Sequence, residues 1–239
     1  MRLKFASYNI HKAVGTDRRR DPDRIIAVLR EMDADIIALQ EADRRIGERA
    51  SVLSLAALDD TPWQPVDVAK RPRSIGWHGN ALLVRREFKV VAAEPVDLPT
   101  LEPRGAVRAD LEVEGVRIRV VGMHLDLSGL RRRDQIKAVL RHVDACEPIC
   151  PTVLMGDFNQ WGMRTGAMRE FRRAWHVLDT GRSFPARQPI ARLDRIVTSD
   201  EWGCVDQQVH HSAKAAQASD HLPIMATLEL PDYAAVHNK

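Results

Sequence analysis

The run Ile36-Ile37-Ala38-Leu39 constrains this chain most. Four consecutive apolar residues, too few to make a helix, leave no face for water. A strand of that kind must be covered on both sides, which points to a sheet buried between other layers. Short, largely apolar segments recur at 152–155, 193–198 and 224–230, and further strands are expected at 3–10, 81–85, 89–93, 107–113 and 116–125. Glu114-Gly115 makes the turn between the last two, and 204–209 is a weaker strand candidate. Helices are expected between them. At 21–32 an acidic cap, Asp21, precedes Pro22, and Ile25, Ile26, Val28 and Leu29 turn inward. At 130–145 Ile136, Val139, Leu140 and Val143 share a face. Residues 50–58 and 164–174 are further helix candidates, and 61–79, rich in proline, arginine and tryptophan, reads as loop. Strands and helices alternate with no linker between halves, so one α/β domain over 1–239, with its core at about 3–230, is expected.

Composition closes off several alternatives. With 44% hydrophobic and 29% charged residues, disorder and coiled coil are excluded as the main state. No apolar run approaches the ~18 residues that cross a bilayer. The net charge of +3 is too small for a protein that wraps nucleic acid, yet 29 of the 36 basic residues are arginine, whose planar fork grips phosphate oxygens in pairs. Three cysteines without a metal-ligand partner set argue against a disulfide framework or a zinc site. No apolar signal core follows the first residues, and a reducing, cytoplasmic setting is expected.

The polar residues that stand out lie at expected strand ends, where side chains converge over a sheet edge. Asn9, Glu41, His124, Asp157 and Asn159 follow strands; Asp194, and the pair Asp220-His221, precede them. Glutamate, aspartate and asparagine oxygens are the donors that Mg²⁺ or Mn²⁺ prefers, and a cation relieves the repulsion among carboxylates sharing a site. Histidines beside them can pass protons to phosphate oxygens. The set suits attack of water on a phosphoester.

Asn9, Gln40-Glu41, Gly79-Asn80-Ala81-Leu82-Leu83, His124-Leu125, Gly156-Asp157-Phe158-Asn159, Leu193-Asp194-Arg195-Ile196 and Ser219-Asp220-His221 occur in the order of the endonuclease/exonuclease/phosphatase superfamily. The sequence resembles small bacterial members of it over nearly its whole length. The resemblance implies the DNase I-like fold, an α/β four-layer sandwich of two packed mixed β-sheets flanked by helices. It also implies roles. Glu41 is the principal metal ligand, with Asn9 beside it and Asp220 helping to complete the shell. Asp157 orients or deprotonates the attacking water, Asn159 holds the scissile phosphate, and His221, oriented by Asp194, stabilises the developing charge. His124 matches the general acid of some branches. Arg104 resembles a phosphate-contacting arginine. Arg192 and Arg195 flank Asp194, so at least one is expected to face the same cleft as a substrate contact, and Asn80 is readable equally as a substrate contact or a structural amide.

Two departures weaken a DNA-repair reading. Asp43 stands where the DNase I-like and apurinic-site branches carry a basic residue, and the mid-chain tyrosine of the apurinic nucleases is missing, the tyrosines here being Tyr8 and Tyr233. His11 and His78 are read as structural. The runs 18–20, 71–73 and 131–133 read as solvated arginines or, more sharply, as a phosphate-binding rim. Trp63, Trp77 and Trp161 fit stacking on a base, contact with lipid, or packing within their own loops. A Mg²⁺- or Mn²⁺-dependent phosphodiester hydrolase is therefore expected, with a nuclease ranked first because arginines suit a polyanion. A phospholipid or sugar-phosphate substrate comes next, and a non-catalytic binding protein on the same scaffold last. Oligomeric state has no signal in the sequence.

Overall fold

The all-apolar run becomes the first four residues of a strand, β2 (Ile36–Gln40), with every residue buried. Its side chains alternate between two cores: Ile36 and Ala38 point between the sheets, Ile37 and Leu39 toward helices. The computed structural model describes residues 1–44, 47–48, 50–100, 104–171 and 174–231. Among them, β2 joins β1 (Arg2–Asn9), β3 (Trp63–Pro65), β4 (Ala81–Arg85), β11 (Gly203–Val209) and β12 (Ile224–Glu229) in a six-stranded sheet of order β11-β12-β1-β2-β4-β3. The second six-stranded sheet runs β5-β6-β7-β8-β10-β9, from β5 (Lys89–Asp97), β6 (Gly105–Val113), β7 (Val116–His124), β8 (Thr152–Asp157), β9 (Trp175–Val177) and β10 (Asp194–Ser199).

Both sheets are mixed in the same way. Each has one parallel pair at its centre, β1 with β2 and β7 with β8, flanked on both sides by antiparallel neighbours. A parallel pair needs a crossover, and α1 (Pro22–Met32) and α3 (Gly129–Asp144) supply them. Asp21 caps α1 by accepting from the amide of Arg24 at 3.0 Å, with Pro22 in the first turn. Leu3, Phe5, Val107, Val120, Val153 and Met155 fill the layer between the sheets. Outside them, α1, the short α2 (Leu55–Asp59) and α4 (Ala215–Ala218) cover the first sheet, and α3 covers the second. The result is the four-layer α/β sandwich.

Three local expectations change. The helix expected at 50–58 is the five-residue α2, because Ser54, itself extended, caps it by accepting from the Ala57 amide, and residues 51–53 before it form a bridge and bends. Within 164–174 a 3-10 turn at Gly166–Glu170 replaces a full helix, with Gly166 at φ +57°; residues 172–173 lie outside the described residues. The loop expected at 61–79 contains β3, pinned by Trp63, whose indole N–H donates to the Ala34 carbonyl at 2.7 Å from a fully buried position.

The parallel centres bring the strand ends that carry the candidate residues to one side. C-terminal ends of β1, β2, β7 and β8 and N-terminal ends of β4, β6, β10 and β12 all meet along one edge of the sandwich. In the register of the second sheet, His124 sits opposite both Gly105 and Asp157, and Asp157 opposite Asp194.

Candidate active site

At this edge a cleft of about 300 Å³ opens, and Asn9, Glu41, Arg104, His124, Asp157, Asn159 and His221 all line it. Asp157 is the hub. Its Oδ2 accepts from Asn9 Nδ2 at 3.0 Å, and lies 3.4 Å from His124 Nε2 and 3.8 Å from His221 Nε2. Its Oδ1 accepts from the Asn159 amide at 2.9 Å. Asn159 has a left-handed backbone (φ +50°) and donates from its side chain to the Leu125 carbonyl at 2.9 Å, which leaves its amide oxygen outside that bond.

His221 and His124 touch the same carboxylate but sit at opposite ends of titration. His221 Nδ1 is 2.9 Å from Asp194 Oδ2, which also accepts from the Ser183 hydroxyl. Burial pushes His221 down, but the charge and hydrogen bond of Asp194, with the charges of Asp157 and Asp220, raise it to about 10. His124 has no carboxylate hydrogen-bonded to it as Asp194 is to His221, and the Arg104 guanidinium shares its Nε2. Its burial, only partly opposed by Asp157, lowers it to about 4. Arg104 bonds to His124 Nε2; because a guanidinium only donates, Nε2 accepts and the imidazole proton sits on Nδ1.

Glu41 follows β2 in a left-handed conformation, φ +55°. Its carboxylate is bonded to the Lys12 ammonium. Lys12 comes from a turn in which His11, Lys12 and Ala13 all take positive φ, held by the Lys12 amide donating to the Glu41 carbonyl at 3.1 Å and the His11 amide to Asn9 Oδ1 at 3.1 Å. Burial would raise Glu41, yet Lys12, aided by His124 and His11, keeps it below the usual carboxylate range. An ionised, partly buried carboxylate facing a cation is what a hard divalent metal also requires, and the oxygens of Glu41, Asn9 and Asp157 fit that chemistry. Asp157, Asp194 and His221 also bring ligand atoms within 4.8 Å of one another. Protonated His221 has no lone pair to give, so it stands as a charge partner between two carboxylates, hydrogen-bonded to Asp194 and 3.8 Å from Asp157.

Several expected residues stand elsewhere. Asp220 is 3.7 Å from His11 Nδ1 and does not line the cleft. Arg192 turns to Asp179 at 2.8 Å. Arg195 is buried with its guanidinium on the carbonyls of Asp194 and Gln160. Asn80 is buried and donates to the Gly105 carbonyl at 2.9 Å, tying the two sheets together beneath the cleft. Tyr8 faces the α1 core and Tyr233 lies outside the described residues.

Lys12, Arg44 and Leu127 line the cleft without having stood out in the sequence, and His78, read there as structural, lines it too. Arg44 follows directly after Asp43, the position where related branches carry a basic residue, so a cation one step on was the available signal. Lys12 gave none, because its approach depends on an unusual left-handed turn.

The family model for the endonuclease/exonuclease/phosphatase family matches residues 6–221. The chain belongs to that family, whose members are hydrolases acting on phosphoester bonds. Its fold is similar to that of an endonuclease/exonuclease/phosphatase from Bacteroides vulgatus, with a TM-score of 0.77 at 17% identity, covering 97% of this chain and 100% of that one. It is also similar to D. rerio TDP2 complexed with single strand DNA product (0.73, 15% identity, 95% and 99% covered). A Bacteroides thetaiotaomicron mannosyl-6-phosphatase gives 0.72 at 18% identity, with 95% and 100% covered. A comparison with curated protein sequences returns no match. No helix among the described residues is long and apolar enough to cross a membrane.

Proposed function

We propose that this protein is a metal-dependent phosphoesterase that hydrolyses a phosphodiester by attack of water on phosphorus. The observation that carries the reading is Asp157, one buried carboxylate held by Asn9 and standing between a protonated and a neutral histidine. Glu41 and Asn9 would hold the divalent ion, Mg²⁺ or Mn²⁺, which supplies charge stabilisation to the phosphoryl oxygens. Asp157, on the cleft wall, takes a proton from the attacking water. The His221 imidazolium donates from Nε2 to the phosphate as negative charge builds, and Asp194 keeps its ring oriented and charged. His124, neutral and protonated on Nδ1, holds the Arg104 guanidinium at the cleft wall, where it meets a phosphate oxygen. In this arrangement the proton for the leaving oxygen comes from His221 rather than His124. Asn159 presents its amide oxygen beside them.

A nuclease reading drew on the arginine content, and two of its supports fall away: Arg192 and Arg195, which flank Asp194, are engaged away from the cleft. The catalytic groups treat any diester alike, so the choice between nucleic acid and lipid falls to the rim.

The test is a screen of purified protein with Mg²⁺ or Mn²⁺ against single- and double-stranded DNA, RNA, bis-p-nitrophenyl phosphate, p-nitrophenyl phosphate and a phospholipid panel. Metal-stimulated hydrolysis by the natural protein, absent in a folded Glu41→Gln variant, is the expected result. No hydrolysis of any substrate and no metal-linked rise in melting temperature would favour a binding module instead.

A further inference from the structure

Beside the cleft, three large apolar side chains stand in water. Leu127 is 68% exposed, Leu130 79% and Trp161 62%. They belong to two neighbouring segments: Leu127 and Leu130 lie between β7 and the first turn of α3, and Trp161 follows β8 two residues after Asn159. The segments are fastened to each other. Arg132 donates to the Leu127 carbonyl at 2.5 Å and the Asp126 carbonyl at 3.1 Å, and with its other nitrogens to Gln160 Oε1 at 3.1 and 3.3 Å. The apolar groups therefore sit on a braced platform, and Leu127 itself reaches the cleft wall.

The same platform is basic. Arg164 and Arg169 are exposed and Arg131 partly so, and none of the three forms an ion pair with any described residue. Arg169 and Leu130 share a shallow groove. Arg133, also exposed, is neutralised by Glu170.

We propose that this edge seats the protein on an anionic phospholipid surface, so that the diester entering the cleft is a lipid headgroup. The identity of the substrate rests on the phosphoesterase reading; the docking itself does not. Exposed leucines gain by entering hydrocarbon and gain little from a nucleobase, whose recognition calls for aromatic stacking. An indole settles at the boundary between headgroups and acyl chains. Unpaired arginines beside them meet lipid phosphates, and that attraction adds to apolar insertion. Leu127 borders the cleft, so a headgroup reaches it from the platform side.

Vesicle sedimentation tests this without relying on catalysis. The full chain is mixed with phosphatidylcholine vesicles, with and without phosphatidylglycerol. The natural protein is expected to sediment with the anionic vesicles, less at high salt, and to stay in solution with the neutral ones. Leu130→Ser/Trp161→Ser is expected to lower that partitioning roughly tenfold or more while hydrolysing soluble bis-p-nitrophenyl phosphate at the natural rate. Arg131→Gln/Arg164→Gln/Arg169→Gln is expected to lose the preference for anionic vesicles. Failure of the natural protein to bind anionic vesicles, or equal binding by the apolar double variant, overturns the proposal. So does tight binding of a single-stranded oligonucleotide that the same double substitution abolishes. Vesicle binding without hydrolysis of the soluble diester by the natural protein would instead fault the phosphoesterase reading and leave the docking face standing.

Discussion

His221 Nδ1 lies 2.9 Å from Asp194 Oδ2, both side chains buried, and this pair sets the charge of the imidazole that faces the cleft. With Asp194→Asn the chief cause of the upward shift is gone, burial dominates, and His221 is expected to titrate near or below its ordinary range. NMR of the imidazole nitrogens over pH reads this directly. Hydrolysis at pH 8 should then fall relative to pH 6, because the proton donor is lost on the alkaline side. A His221 that stays protonated at pH 8 in the variant would contradict the assignment.

The two histidines also shape stability against pH. His221 has a folded value of about 10 against 6.5, so its contribution is complete below 6.5 and is lost as pH rises toward about 10. His124, at about 4 against 6.5, acts in the opposite sense: its contribution is complete above 6.5 and lost as pH falls toward 4. The metal-free protein should lose melting temperature on both sides of this region, and His221→Gln should flatten the alkaline limb. An alkaline limb of unchanged slope in that variant would show that His221 does not carry it.

Lys12 occupies the carboxylate that a metal would use. Removing the ammonium with Lys12→Met takes away that competitor, and Mn²⁺ affinity measured by calorimetry should rise by roughly tenfold, about 1.4 kcal/mol. Unchanged or weaker binding would mean that the metal does not depend on Glu41.

Gly156 lies at φ +154°, and a Cβ there would meet the Met123 carbonyl oxygen at 1.9 Å. Gly156→Ala must push β8 from β7 immediately before Asp157. A loss of about 3 kcal/mol is expected in chemical denaturation. A loss under ~0.5 kcal/mol would show that the strands move apart easily here.

Much of this architecture was legible because it depends on local pattern. The unbroken apolar run at 36–39 and the capped, one-faced helix at 22–32 need no tertiary knowledge to be read. Strand-end polar residues pointed to one edge, and Asn9, Glu41, His124, Asp157, Asn159 and His221 do line one cleft. What escaped depends on contacts distant in sequence or on backbone strain. Arg195 is next to Asp194 in sequence, but alternate side chains of a strand face opposite ways, and its head ends on buried carbonyls. Asp220 adjoins His221 in a bend before β12 and faces His11 instead. Lys12 enters the cleft through three consecutive positive φ angles that no propensity scale favours.

The most direct measurement is the Mn²⁺-dependent kcat/KM of Asp157→Asn on bis-p-nitrophenyl phosphate, with melting temperature confirming the fold. Replacing the carboxylate by an amide keeps its shape but removes the base, and a loss of about a thousandfold is expected. A folded Asp157→Asn protein with activity near that of the natural one would contradict the placement of Asp157 at the centre of the chemistry.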